Sequence, residues 1–218
     1  MGMHVGLVAS RTTVVELRQV FADIFSYLEK VNSADLATVD NLWRWMDTHR
    51  KFVSAAEWRP DNPGTEVIAF WQDGPWALFT DGSYVLPSDD ERLATLSTRF
   101  PTVLSFIVES ASGSAHFACF ERGKCRRKIA NTDREVAVEG DPLPEEAVIA
   151  IAHYYMDESE RLARAFGLSS LEYGDGISTW KDFSAICAID RTDYAPLKLG
   201  APAPVEAAKQ RKRWWKLW

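Results

Sequence analysis

The chain has 218 residues, of which 46% are apolar and 26% charged, a composition typical of a globular protein with a sizeable core. Its formal charge is −6, and it becomes −11 when the five cations of the last ten residues are set aside. An acidic body of this kind is repelled by phosphate backbones, so we expect no binding to duplex nucleic acid and favour basic proteins as partners.

The cysteines and the first residues predict a soluble, cytoplasmic protein. Cys119 and Cys125 flank a two-residue turn predicted at 122–123, which places their side chains on opposite faces of a hairpin and disfavours a disulfide. The first ten residues lack the cationic region and long apolar run of a secretory signal. No uncharged run approaches the roughly 20 residues that a membrane span requires.

The first quarter of the chain predicts one strand followed by two helices. Residues 4–10 form a short apolar strand. Residues 11–31 carry apolar side chains at helical spacing, and Thr13 and Glu16 match a capping box at the start of this helix. A second helix is predicted over roughly residues 34–58, which end at the breaker cluster RPDNPG.

Residues 65–87 predict two tight β-hairpins. Asp-Gly pairs at 73–74 and 81–82 both fit two-residue hairpin loops. This register pairs Trp71 with Trp76 and Phe79 with Tyr84.

The first hairpin is apolar on both faces. Trp71, Trp76 and Leu78 share one face, and Ile68, Phe70 and Phe79 share the other. Such a strand either lies centrally in a covered sheet or presents a contact surface. Because tryptophan is favoured at binding hot spots, Trp71 and Trp76 are our candidates for partner-binding residues in this part of the chain.

The remaining elements predict an α+β fold. A short helix follows a capping box at Ser88 and Glu91, then three or four strands form an antiparallel meander, a long helix covers 141–167, and a last strand covers 178–190. We expect a mostly antiparallel sheet of hairpins and meander packed with three or four helices, in a single domain of residues 1–195.

No cluster of residues predicts catalysis or metal binding, so we expect no catalytic residue, metal or cofactor. His153 and Asp157 are four apart on a predicted helix, but off its apolar stripe. Cys187 lies in apolar sequence and reads as core. Cys119 would share a strand face with Lys124, Arg126 and Lys128, which makes an activated thiolate an alternative. The three cations otherwise form a solvated face, bind an anion, or pair with acids of the chain.

The last residues form an attachment device in our interpretation. Residues 196–208 are rich in proline and alanine and read as a linker to the basic, tryptophan-rich tail 209–218, KQRKRWWKLW. The tail could contact an anionic membrane, dock in an acidic, aromatic-lined groove of a partner or neighbouring subunit, or else fold onto its own acidic body or stay disordered. Its candidate binding residues are Arg211, Lys212, Arg213, Trp214, Trp215, Lys216 and Trp218.

Residues 113–146 resemble uncharacterised bacterial domain families in which a glycine–arginine turn ends a meander strand and an EG-x-PLPEE segment opens a helix. The matching residues are Gly123, Arg126, Gly140, Pro142, Leu143, Pro144, Glu145 and Glu146. Several proteins of this appearance are small, acidic accessory or toxin-immunity factors. The resemblance carries no catalytic residues.

These observations predict a non-catalytic binding protein, immunity-like in function, that masks a basic protein partner. One alternative is a peripheral membrane or assembly factor attached through residues 209–218. Another is an enzyme whose site is assembled from scattered residues.

Overall fold

A computed structural model describes residues 4–51, 53, 63–81, 85–169, 171 and 180–190. These residues contain one nine-stranded sheet in the order β2-β9-β3-β4-β1-β5-β6-β7-β8, in which every neighbouring pair is antiparallel. The strands are β1 (His4–Arg11), β2 (Leu28–Thr38), β3 (Glu66–Asp73), β4 (Trp76–Asp81), β5 (Val103–Glu109), β6 (Ser114–Glu121), β7 (Lys124–Thr132), β8 (Glu135–Gly140) and β9 (Lys181–Asp190). The helices are α1 (Val14–Ile24), α2 (Val39–His49), α3 (Asp90–Leu96) and α4 (Met156–Ala165). The predicted α+β class and antiparallel sheet are confirmed.

Helices cover both faces of the sheet. The larger core lies beneath α2 and α4, and a second core lies beneath α1 and α3. Trp71, Trp76 and Leu78 belong to the first core, whereas Ile68, Phe70 and Phe79 belong to the second. The predicted faces of the first hairpin are therefore correct, and its strands are apolar on both sides because both sides are buried.

The register of that hairpin differs from the prediction by two residues. Asp73 pairs with Trp76 and Trp71 with Leu78, so the loop is Gly74-Pro75. A slip of two residues leaves every side chain on the same face, which explains why the faces were nevertheless right. The second predicted hairpin is wrong because β4 already pairs with β3 and β1, so that Phe79 faces Phe70 and Val8. Tyr84 lies outside the described residues.

The predicted N-terminal helices contain a strand between them. The Thr13–Glu16 capping box opens α1 as predicted, but α1 ends at Ile24 and Leu28–Thr38 form β2 against β9. α2 begins only at Val39, where the Thr38 hydroxyl accepts a hydrogen bond from the backbone N–H of Asn41 (3.2 Å).

A β-bulge at Val31 explains why β2 does not read as a strand. Lys30 pairs with Ala188 and Asn32 with Cys187, so Val31 is the extra residue. The bulge shifts the side-chain alternation, and Leu28 therefore packs in the core beneath α1 while Leu36 packs in the core beneath α2. Without the bulge, both leucines would point to the same face.

The β5–β8 meander is confirmed, including its fourth strand. The two-residue turn after Glu121 uses positive φ at Arg122 (51°) and Gly123 (79°), as a tight hairpin requires. Asp89 caps α3 by accepting from the Arg92 N–H (3.1 Å), so the predicted cap at Ser88 is wrong by one residue.

The helix predicted over 141–167 is α-helical only in its second part, α4, and a buried ion pair holds its first part. Arg127 donates two hydrogen bonds to the Glu146 carboxylate (2.7 and 2.6 Å) and one to the carbonyl of Gly140 (2.6 Å). Glu146 also accepts from the Leu143 N–H (3.0 Å). The chain here forms two short 3-10 segments, Pro144–Val148 and Ile151–His153, before α4. Tethering to β7 and β8 therefore overrides continuous helix formation.

His116 on β6 is a half-buried titratable group. Burial, assisted by the nearby Lys128 ammonium, lowers the pKa of His116 to about 4, and Asp90 opposes this only in part. The imidazole is therefore neutral in the folded protein at physiological pH.

Replacing Arg127 with leucine should lower the free energy of unfolding by about 3–5 kcal/mol, because the Glu146 carboxylate would remain buried without its cation. Urea unfolding followed by tryptophan fluorescence measures the change. The matched control is Arg126→Leu, which breaks a largely exposed ion pair with Glu121 (3.1 Å) and should cost less than about 1 kcal/mol. Equal losses in the two variants would contradict a structural role for the buried pair.

Stability should fall between pH 6.5 and pH 4 partly through His116. Below pH 6.5, the ordinary pKa of histidine, His116 of the unfolded chain binds a proton, whereas His116 of the folded chain does so only near pH 4. The contribution of His116 to the free energy of unfolding is therefore fully present above pH 6.5 and is lost as the pH decreases towards 4. Between pH 7 and 4.5 the wild-type protein should lose about 2 kcal/mol more than His116→Gln. Urea unfolding at both pH values tests this, and identical losses would rule out a half-buried imidazole that stays neutral down to about pH 4.

Candidate functional site

The two edge strands of the sheet are where the described structure leaves backbone hydrogen-bonding groups available. Among the described strands, every interior strand pairs on both sides, whereas β2 pairs with β9 alone and β8 with β7 alone. An edge strand presents a row of N–H and C=O groups to which another extended segment can add.

The β8 edge has the features by which proteins block such addition. It is six residues long and mostly exposed. Glu135 and Glu139 charge one of its faces, and Glu139 lies opposite Lys128 of β7. Short, charged edges disfavour pairing with a further strand.

The β2 edge is longer and changes character at its bulge. Glu29 and Lys30 precede the bulge at Val31, and charges and bulges both protect an edge. The remaining segment, Asn32–Thr38, pairs regularly with β9 and contains a single charged side chain, Asp35. This seven-residue half is the better edge for an added strand.

A cleft of about 440 Å³ lies beside this half of β2. Residues 35–37 of β2 form one wall, and the other wall is formed by α2 through Asn41, Arg44, Trp45 and Thr48. The α2 residues fall on one side of the helix because their spacing is three or four residues. A separate side of the same helix holds Leu42 and Met46 in the core.

Trp45 gives the cleft an apolar surface. Its ring stacks on His49, with centroids 4.3 Å apart, and packs partly against the core. Trp43, two positions earlier, lies elsewhere on the helix and is 38% exposed. Residues two apart on a helix, such as Trp43 and Trp45, lie about 200° apart around its axis, so only one of the two can face the core.

The lining of the cleft contains one acid, Asp35, and one cation, Arg44, whereas the segment to which both walls belong is weakly acidic. Residues 28–49 contain four acids and two cations when histidine is neutral, a net charge of −2. Asp35 lies in the cleft wall and is exposed. An extended, cationic segment with an apolar side chain for the cleft would match this surface.

Trp71 and Trp76, predicted as partner-binding residues, are core residues in the structure. Both side chains have no exposed area. Trp71 packs against Trp180 and Phe183, with ring centroids 4.6 and 5.5 Å away. The indole N–H of Trp76 donates to the carbonyl of Phe166 (3.0 Å). Both side chains are buried because β3 and β4 are interior strands of a sheet that helices cover on both faces.

The thiols are not activated. Cys119 is buried, and this burial raises its thiol pKa to about 12. Cys187 is a core residue as predicted, and burial likewise raises its pKa. Cys119 and Cys125 lie on opposite faces of the β6–β7 hairpin, as predicted, because Cys119 pairs with Arg127 and Cys125 with Phe120.

The predicted basic stripe of β7 does not form a single face. A bulge between the pairs of Cys119 and Phe120 disrupts the alternation at Arg126. Arg126 pairs with Glu121 (3.1 Å) and Lys128 with Asp90 (2.6 Å), so these cations are paired with acids of the same chain. This was one of the three predicted alternatives.

The remaining candidates are dispersed. His153 ends a 3-10 segment and Asp157 lies in the first turn of α4, so they do not share a helix face as predicted. Within the described ranges, no group of three or more His, Cys, Asp or Glu could hold a metal ion. The tail residues 211–216 and 218, and the predicted linker, lie outside the described residues.

Sequence reasoning missed the β2–α2 cleft because it assigned both of its walls to helix. The available signals were the Thr38–Asn41 cap and the small, weakly charged stretch before it. In the part of the chain that the structure describes, no helix is long and apolar enough to cross a membrane.

Comparison of the chain with protein-family models, curated proteins and solved structures finds no match.

Proposed function

We propose that the protein is a non-catalytic binding protein that masks a basic partner protein by taking an extended segment of the partner along β2. The observation that carries the proposal is the weakly charged edge Asn32–Thr38 lying directly beside the cleft of α2. An edge that pairs with no further strand among the described residues and an adjoining side-chain pocket are together the two requirements for peptide recognition by strand addition.

The backbone of β2 would supply affinity and the cleft would supply selectivity. An added strand lies about 4.8 Å from β2 and directs alternate side chains to the two faces of the sheet. On the α2 side, one such side chain can enter the cleft between Leu36 and Trp45. A large apolar residue is favoured there because both walls present apolar atoms.

Charge makes a basic segment the preferred ligand. The chain before residue 209 has a formal charge of −11, and residues 28–49 carry −2 of it. A field of this sign accelerates encounters with cationic partners and disfavours acidic ones. An acidic protein that occupies an extended basic segment would act as immunity proteins do, by occlusion rather than by chemistry.

The state of the reactive side chains also supports a binding role. Cys119 and Cys187 have raised thiol pKa values, and Glu146 is fully engaged with Arg127. Thr48 in the cleft wall donates its hydroxyl to the carbonyl of Arg44 (2.8 Å). None of these groups is arranged as a nucleophile beside a general base.

A fluorescein-labelled peptide of alternating lysine and leucine residues tests the proposal in fluorescence anisotropy titrations with the full chain. We expect saturable binding, and no binding of a peptide that alternates glutamate and leucine. Asp35→Arg should weaken binding of the basic peptide about tenfold, because it places a like charge in the site. Glu135→Arg on β8 makes the same charge change on the other edge and should leave the affinity within about twofold.

A second peptide separates strand addition from charge attraction. Methylating alternate backbone nitrogens keeps every side chain but removes the N–H donors of one peptide edge, and should abolish binding. Equal binding of the methylated peptide would overturn strand addition. Equal weakening by Asp35→Arg and Glu135→Arg would show that the protein attracts cations without a defined site.

A further inference from the structure

We infer that the protein's own tail, residues 209–218, occupies the β2–α2 cleft in the absence of a partner, so that a partner must displace it. The inference rests on the proposed function because it concerns the same site. It assigns a regulatory ligand to that site, and the ligand is a segment of the same chain.

The composition of the tail matches what the cleft requires. The sequence KQRKRWWKLW contains five cations, three tryptophans, one leucine and no acid. The segment that forms the site, residues 28–49, has a net charge of −2, and the cleft has Asp35 at one wall and an apolar surface at Trp45. Opposite charges and aromatic burial therefore favour the same contact.

The position at which the chain leaves the sheet favours β2 over β8. Asp190, the last described residue, pairs with Leu28 at the beginning of β2. The cleft begins at Asp35, seven residues further along β2, which is about 23 Å at the rise of an extended strand. β8 lies seven strand spacings from β9, which is about 34 Å at the usual separation of neighbouring strands.

The intervening residues have the right length for this distance. Residues 191–208 separate Asp190 from the tail, and eighteen residues reach up to about 60 Å at full extension, so the cleft lies within reach of the tail. A connection that can span the distance between two sites gives an effective concentration on the order of 1 mM. Ten extended residues span about 33 Å, which is enough to cover Asn32–Thr38.

Occupation by the tail would set a threshold for the partner. If the isolated tail binds with a dissociation constant on the order of 0.1 mM, the effective concentration weakens a competing partner about tenfold. The tail would also cover an edge that could otherwise pair with a second molecule.

Hydrogen–deuterium exchange of the full chain tests the inference directly. The test variant carries Trp214→Ser, Trp215→Ser and Trp218→Ser, and the control carries Gln210→Ser in the same tail. We expect the amides of residues 32–38 that point away from β9, which occur at every second position, to exchange about tenfold faster in the triple variant than in wild type or control, because they lose the covering strand. The amides of β8 should exchange at the same rate in all three proteins.

The same proteins in the anisotropy assay separate failure of the inference from failure of the proposed function. The lysine–leucine peptide should bind the triple variant about tenfold more tightly than wild type. Equal affinities together with unchanged exchange at 32–38 would overturn tail docking and leave the proposed function standing. Absence of binding to every protein would overturn the proposed function, while exchange would still decide where the tail lies.

Two further outcomes would overturn the inference. Faster exchange at β8 or on α4, without a change at 32–38, would place the tail elsewhere on the body. Co-sedimentation of wild type, but not of the triple variant, with phosphatidylserine-containing vesicles, with identical exchange at 32–38, would show that the tail serves membrane attachment instead.

Discussion

Burial of both faces of one antiparallel sheet is the constraint on which the rest of this structure depends. Helices α1 and α3 cover one face, and α2 and α4 cover the other. The largest fully buried side chains, such as Trp71, Trp76 and Phe79, pack in these two cores. Backbone hydrogen bonding can therefore continue only at the edges, and the difference between β2 and β8 determines where a ligand is expected. A cleft next to one edge is thus a consequence of how α2 is placed against β2.

The polar interior reinforces the same arrangement. Arg127 and Glu146 tie the 3-10 segment before α4 to β7, and Gly140 accepts from the same guanidinium. A buried ion pair adds little to the free energy of unfolding compared with two apolar side chains in its place, but removal of one partner alone is strongly destabilising. This pair fixes the β7–β8 end of the sheet, while Arg126 and Lys128 of the predicted basic stripe form ion pairs with Glu121 and Asp90.

Elements with strong local signals were predictable from the sequence, and elements defined by long-range pairing were not. The α1 cap, the tight turn at 122–123 and the meander follow from capping and turn chemistry that acts within a few residues. β2 was missed because its bulge at Val31 destroys the alternation by which a strand is recognised. The break in the predicted helix 141–167 depends on Arg127, which lies on another strand, and no local pattern contains that information. The candidate site was missed because β2, which forms one of its two walls, was not recognised as a strand.

The claim that an extended segment pairs with β2 is the centre of the account, and intermolecular nuclear Overhauser effects test it most directly. In a complex of the isotope-labelled full-length triple tail variant with the unlabelled lysine–leucine peptide, strand addition predicts contacts between peptide α-protons and the backbone amides of Asn32–Thr38, repeating at every second residue. Contacts confined to the side chains of α2, or found along β8, would contradict it.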